Sequence, residues 1–172
     1  SQSNRNLIEN AAGGSGAVAA DLMMQILGLG AALFIALPLI WALHQLGGPL
    51  AIAVGAVVLF AAGLWATQQM TAELGIEDPS EIVIDEVVGQ WIALFPVSYG
   101  AMMMQADITR LWPGWIVAFV MFRVFDIWKP WLVGRADRRG DALGVMLDDV
   151  VAGVFAAIVV IVLAGLAHRV LM

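Results

Sequence analysis

Five apolar stretches dominate the sequence, and each is close to the roughly 20 residues that an α-helix needs to cross a bilayer. The chain as a whole is 62% hydrophobic and 13% charged, more apolar than a compact soluble domain of this length can bury. The sequence therefore predicts an all-α, polytopic membrane helix bundle. Its transmembrane segments, about five in number, are predicted at residues 27–46, 50–67, 87–104, 111–128 and 150–167.

The membrane-embedded domain is predicted to cover residues 27–172, after an atypical, flexible and polar segment over residues 1–26. The Gly-Gly-Pro run at 47–49 predicts the turn between the first two spans. The third span, 87–104, is weaker than the others because Gln, Pro and Gly interrupt it. It is either a full span or a re-entrant segment, and a re-entrant segment would reverse the side on which the chain ends.

Basic residues are concentrated after the fourth span, where Lys129, Arg135, Arg138 and Arg139 lie. Because positively charged loops stay in the cytoplasm, this segment is predicted to be cytoplasmic. Alternation of the spans then places residues 68–86 on the same side. Arg138 and Arg139 are interpreted equally well as contacts to anionic lipid headgroups.

Composition excludes several function classes. The net charge of −6, from 14 acidic and 8 basic residues, argues against a nucleic-acid partner. The absence of Cys excludes disulfides, zinc-thiolate sites and a cysteine nucleophile. His44 and His168 are predicted at the surface opposite to the basic segment, which leaves carboxylates as the reactive groups on offer.

Those carboxylates are predicted to gather at one membrane depth, on the cytoplasmic side. Asp85 and Glu86 lie where the third span begins, Asp126 lies one turn from the end of the fourth, and Asp148 and Asp149 lie where the fifth begins. Acidic residues in a first helical turn also complement the helix dipole, which would need no function. Two adjacent pairs plus a fifth carboxylate instead favour a bound cation, and oxygen ligands suit Mg²⁺.

The two acidic pairs have similar surroundings in the sequence. Residues 83–89 and 146–153 each contain the acidic pair, then two valines, then a glycine. A glycine at this position predicts close approach of a neighbouring helix.

Cations accompany the carboxylates. Arg123 and Asp126 are three residues apart and share a helix face, which Lys129 continues. Carboxylates that bind a metal beside Arg and Lys suit a phosphate substrate, because the metal and the cations neutralise its oxygens together.

Three runs, Ile84–Trp91, Phe122–Trp131 and Gly144–Gly153, resemble the signature blocks of the phosphatidylglycerophosphatase A family. The resemblance begins at about residue 36, and residues 1–35 lack the Gly- and Pro-rich block with which family members usually open. It implies a Mg²⁺-dependent, multi-pass enzyme of the bacterial inner membrane, with its active site on the cytoplasmic side. The implied reaction converts phosphatidylglycerophosphate, a lipid substrate, to phosphatidylglycerol and phosphate.

The resulting hypothesis assigns every candidate residue a role. Metal binding falls to Asp85, Glu86, Asp148 and Asp149, catalysis to Asp126, Asp149 and Glu86, and phosphate binding to Arg123 and Lys129. Asp126 is either a further metal ligand or the base for the attacking water, and a carboxylate nucleophile stays open. The alternatives are an inactive homologue with an altered N-terminus and a cation transporter subunit, and the sequence leaves a homo-oligomer open.

Overall fold

The computed structural model describes the backbone of residues 13–74, 83–139 and 141–171. All regular structure in these ranges is helical, which confirms the all-α prediction. Residues 1–12 of the predicted N-terminal segment lie outside the described part. The elements are α1 (Gly13–Leu74), α2 (Ile84–Met103), a 3₁₀ turn (Ile108–Leu111), α3 (Trp112–Trp128), α4 (Leu132–Asp137) and α5 (Ala142–Leu171).

Helix α1 consists of two antiparallel arms. Gly47 and Gly48 have non-helical backbone angles, and Gly48 has a φ of 60°, which glycine adopts without strain. A Cβ on Gly55 would lie 3.1 Å from Leu43 Cδ1, whereas a continuous helix would separate the two residues by about 18 Å. The predicted turn at 47–49 is therefore present. The first arm begins at Gly13, so the backbone of residues 13–26, in the predicted N-terminal segment, is helical.

Helix α2 lies in the middle of the bundle, against α1, α3 and α5. The indole of Trp91 donates a hydrogen bond to the carbonyl of Ala36 on α1 (3.1 Å), and Val97 packs against Gly114 of α3. Half of the twenty residues of α2 are buried. Its neighbours on these faces are protein rather than lipid, so α2 tolerates the polar residues that weakened the predicted third span.

Three described stretches are long and apolar enough to cross a membrane: Ala36–Gln69, Ile108–Trp128 and Ala142–Val170. The first contains the reversal between the two arms of α1. The predicted number of five spans is therefore approximate. Large apolar side chains on the outer faces of these stretches, such as Val57, Ile116 and Ile158, are more than half exposed, as lipid contact requires.

Helices α2 and α5 run parallel and touch through their backbones. A Cβ on Gly153 would lie 2.4 Å from the carbonyl oxygen of Gly89, and a Cβ on Gly89 would lie 2.7 Å from that of Asp149. Contact this close is open only to residues without side chains, so the close approach predicted from the two glycines is confirmed. The crossing brings the acidic pairs that precede each glycine to the same end of the bundle.

The start of α5 differs from the sequence prediction. The helix begins at Ala142 rather than near residue 150, and α4 occupies part of the predicted loop. The carboxylate of Asp141 accepts a hydrogen bond from the N–H of Gly144 (2.8 Å), which is the contact of a helix N-cap. Asp148 and Asp149 consequently lie beyond the first turn of α5 rather than at its start, which corrects the sequence prediction.

Candidate active site

Five carboxylates from three helices meet at the end of the bundle where α2 and α5 begin and α3 ends. We call this end the acidic end. The charge of Asp149 is within electrostatic range of each of the other four carboxylates. The residues that the sequence analysis placed at one membrane depth are thus brought together in space, and they are Asp85, Glu86, Asp126, Asp148 and Asp149.

The two acidic pairs have the same local geometry. In α2, Asp85 Oδ1 accepts the backbone N–H of Glu86 (2.8 Å), and in α5, Asp148 Oδ1 accepts that of Asp149 (2.9 Å). Their burial differs, since Asp148 and Asp149 are only 7% and 4% exposed whereas Asp85 and Glu86 are half-buried. Burial of charged groups is costly unless they are paired, so the charges of Asp148 and Asp149 need compensation more than those of the α2 pair.

Arg123 joins α3 to α2 at the acidic end. Its Nη1 lies 2.8 Å from Asp126 Oδ2 on its own helix and 3.2 Å from Glu86 Oε1 on α2. The side chain is largely buried, and its contact with Asp126 confirms the shared helix face predicted from their spacing. One guanidinium therefore compensates carboxylates of two helices.

Lys129 joins α3 to α5. It ends α3 in the left-handed conformation (φ 46°), with its N–H bonded to the carbonyl of Phe125. Its Nζ lies 3.0 Å from Asp148 Oδ2 and also bonds Asp137 of α4, a residue that the sequence analysis did not single out. Burial lowers the pKa of Lys129, but the bonds to Asp137 and Asp148 outweigh it and hold the pKa above its ordinary value. The side chain is thus a cation at physiological pH.

The described ion pairs of these two cations leave Asp85 and Asp149 out. Oxygen donors alone form the cluster, and such donors suit a hard divalent cation like Mg²⁺. Within the described part of the chain, no three carboxylates or imidazoles converge as the ligands of one metal ion. The donor type of these residues suits the metal, and the carboxylates of Asp85 and Asp149 lie outside the ion pairs given above.

Gln90, one helical turn from Glu86 on α2, is a second residue to which the sequence pattern assigned no role. It is 2% exposed, and neither polar atom of its amide has a hydrogen-bond partner among the residues that the structure describes. The sequence carried a signal for it, because a polar side chain inside an apolar span is by default a functional candidate. By hydropathy alone, Gln90 is only an interruption of the span.

His44 lies at the opposite end of the bundle, in contact with Ser98. His44 Nδ1 lies 2.7 Å from the hydroxyl oxygen of Ser98, near the reversal of α1 and the end of α2. His168 lies in the last turn of α5, also remote from the start of that helix. Both histidines are therefore away from the carboxylates, as predicted.

Fold and site together define a membrane helix bundle with a half-buried, carboxylate-rich polar site at one end. The chain belongs to the phosphatidylglycerophosphatase A family, whose sequence model matches residues 7–164. The match begins well before residue 36, where the sequence resemblance was expected to start.

Curated relatives share part of the chain. A Bacteroides thetaiotaomicron protein, provisionally named a phosphatidylinositol-3-phosphatase, is 43% identical over 107 residues, which are 62% of each chain. The phosphatidylglycerophosphatase A of Escherichia coli K12 is 37% identical over 97 residues, or 55% of this chain and 50% of its own length. That of Haemophilus influenzae is 39% identical over 103 residues, or 59% and 56%. The matches thus span one half to about three fifths of the relatives. No solved structure matches the chain significantly.

Proposed function

We propose that the chain is a Mg²⁺-dependent phosphatase that hydrolyses phosphatidylglycerophosphate to phosphatidylglycerol and phosphate. The family and the names of two relatives support this substrate. The observation that carries the proposal is the convergence of five carboxylates and two cations at one end of a membrane bundle. That arrangement offers oxygen donors that a divalent cation would draw together, and positive charge for a phosphate.

Arg123 and Lys129 would bind the terminal phosphate. Both are held at the acidic end by carboxylates, and both present N–H donors that can turn to phosphoryl oxygens. Asp126 would accept the proton of the attacking water and return it to the leaving oxygen of the headgroup, while Arg123 orients its carboxylate. Mg²⁺ bound by Asp85, Glu86, Asp148 and Asp149 would supply polarisation of the phosphoryl and leaving oxygens.

The lipid would keep its acyl chains in the bilayer while its headgroup reaches the acidic end between α2, α3 and α5. The exposed apolar side chains of the bundle support this route, since α2, α3 and α5 carry them along the same helices that bear the polar cluster. Hydrolysis would thus take place at the membrane surface.

We place that surface on the cytoplasmic side of the bacterial inner membrane. Lys129, Arg135, Arg138 and Arg139 follow α3 at the acidic end, which agrees with the positive-inside rule. The chain contains no cysteine, so a single introduced thiol reports one position. An impermeant maleimide should label Arg138→Cys in inverted membrane vesicles and leave it unlabelled in sealed, right-side-out spheroplasts. Labelling in spheroplasts would show the opposite orientation and contradict this proposal.

The reaction is tested by phosphate release from phosphatidylglycerophosphate by purified protein in detergent, with Mg²⁺ and with EDTA. We expect release with Mg²⁺ alone and its loss in Asp149→Asn. Asp107→Asn is the matched control, because Asp107 is an exposed carboxylate at the opposite end. Folded protein that releases no phosphate would instead be an inactive homologue.

Phosphatidylinositol 3-phosphate is the second substrate for the same assay, since the name of one relative gives that activity. We expect slower release from it than from phosphatidylglycerophosphate. Faster release from phosphatidylinositol 3-phosphate would make the inositol lipid the preferred substrate of the same proposed site.

A further inference from the structure

Six polar or charged residues of the described part are buried, and Gln90 stands apart among them. The hydroxyl of Thr67 bonds the carbonyl of Gly63, and that of Ser98 bonds His44. The side chain of Gln90 is as deeply buried, yet within the described part of the chain both its Nε2 and its Oε1 are without a hydrogen-bond partner. An amide in this state opposes folding, because it gives up its bonds to water and receives none in return.

Gln90 lies next to the site rather than in a remote part of the core. It is four residues after Glu86, so the two side chains share a face of α2 and are about 6 Å apart along the helix axis. Glu86 Oε2 is itself buried without a hydrogen-bond partner among the described residues, while Oε1 faces Arg123. Two buried polar groups with unmet hydrogen bonds thus lie one turn apart on the same face of α2, at the acidic end.

The chemistry of the amide restricts its ligand. A phosphate dianion offers only acceptors and would leave Oε1 of Gln90 unpaired. A hydroxyl group both accepts and donates, and therefore suits the Nε2 donor and the Oε1 acceptor together. In phosphatidylglycerophosphate, two of the three oxygens of the headgroup glycerol carry phosphates, which leaves one free hydroxyl.

We propose that Gln90 binds the free hydroxyl of the headgroup glycerol and makes the enzyme selective for lipid phosphates that carry such a hydroxyl. This inference rests on the proposed function. A substrate without the hydroxyl leaves the buried amide unpaired, and sites built to hydrogen-bond a hydroxyl reject analogues that lack it. Phosphatidic acid, which has no headgroup hydroxyl, is then a poor substrate.

The test compares phosphatidylglycerophosphate with a synthetic analogue whose headgroup is propane-1,3-diol phosphate, identical in charge but without the hydroxyl. Wild-type protein should prefer the natural lipid in kcat/KM by at least about tenfold. Gln90→Met, which keeps the size of the side chain, should reduce the preference to about one. Gln45→Met is the matched control, because Gln45 is an exposed glutamine near the opposite end.

A second measurement separates ligand binding from a structural role. Because Gln90→Met replaces an unpaired buried amide with an apolar side chain, it should raise the melting temperature of the lipid-free protein in detergent. A lower melting temperature would show that the amide is paired within the protein and would overturn the inference. So would a wild-type enzyme without preference, or a preference that survives in Gln90→Met. A wild-type protein that releases phosphate from neither lipid overturns the proposed function itself, and the inference with it.

Discussion

The two acidic pairs have nearly the same sequence and occupy different positions in their helices. Asp85 and Glu86 lie in the first turn of α2, where the helix dipole and partial hydration support negative charge. Asp148 and Asp149 lie deeper in α5, whose first turn holds no acidic residue, and are almost fully buried. The comparison shows that the repeated motif determines which carboxylates come together. The position of each pair relative to the start of its helix determines how much free energy the burial of its charge costs.

Arg123 and Lys129 are divided between the two acidic pairs. Each pair has one member bonded to a cation of α3 or its C-terminus, Glu86 to Arg123 and Asp148 to Lys129. The other members, Asp85 and Asp149, are outside the described ion pairs. The two pairs thus have the same pattern of ion pairing but differ in burial. Substitutions at equivalent positions therefore report the effect of burial.

The largest effect is expected from neutralising Asp149. Asp149→Asn should lower kcat by about 10³-fold, because a carboxylate held in so dry a position has no solvent to substitute for it. Asp85→Asn, at the more hydrated pair, should lower it by about 10²-fold. Phosphate release under saturating Mg²⁺ measures both, and equal losses would mean that burial does not distinguish the pairs.

Removal of the cations should affect stability unequally. Arg123→Met leaves Glu86 and Asp126 uncompensated in a largely buried place and should cost about 3 kcal/mol. The side chain of Lys129 is 35% exposed, so solvent screens its partners and Lys129→Met should cost about 1 kcal/mol. Denaturant titration of the two variants in micelles checks the order, which the reverse result would contradict.

The close contact between α2 and α5 can be tested by adding a methyl group at Gly153. Gly153→Ala places a Cβ against the backbone of Gly89 and should cost about 2 kcal/mol, since backbone cannot yield as a side chain can. Gly165→Ala is the control on the same helix, because nothing lies within 4 Å of its Cβ position. It should leave the midpoint of unfolding unchanged or higher, and equal effects at both glycines would refute a tight crossing.

The smallest effect is expected at Asp141, the N-cap that starts α5 before its acidic pair. Hydrogen bonds from Arg139 and from the N–H of Gly144 lower the pKa of Asp141 to about 2. A lowered pKa stabilises the fold at every pH above the ordinary value of 3.8 and ceases to do so as pH falls through 2. Asp141→Asn should therefore lower the melting temperature slightly at pH 7, and the difference should vanish in acid. A difference that persists in acid would point to another cause.

Much of this architecture could be predicted from the sequence. Long apolar stretches impose helices, the Gly-Gly-Pro run imposes the reversal at 47–49, and alternation of spans brings the carboxylates to one end. The start of α5 could not be placed, because the short helix α4 and the cap at Asp141 lie in a charged segment without an apolar period. The bond between Lys129 and Asp137 likewise depends on a left-handed turn that hydropathy does not reveal.

Gln90 shows a different limit of the sequence. Its polarity inside an apolar span was visible, but whether the amide finds a partner depends on residues brought near it by packing. Only the packed bundle distinguishes a paired core glutamine from one whose donor and acceptor are both free.

The backbone contact between Gly89 and Gly153 also fixes the order in which the site can form during synthesis. Helix α2 enters the membrane long before α5 is made, since chains emerge N-terminus first. Until then Asp85 and Glu86 lack the helix against which they pack, and Lys129 lacks Asp148. The five-carboxylate cluster therefore stays incomplete until α5 is made, and a chain that stops before Asp148 would lack both the backbone contact and two of the five carboxylates.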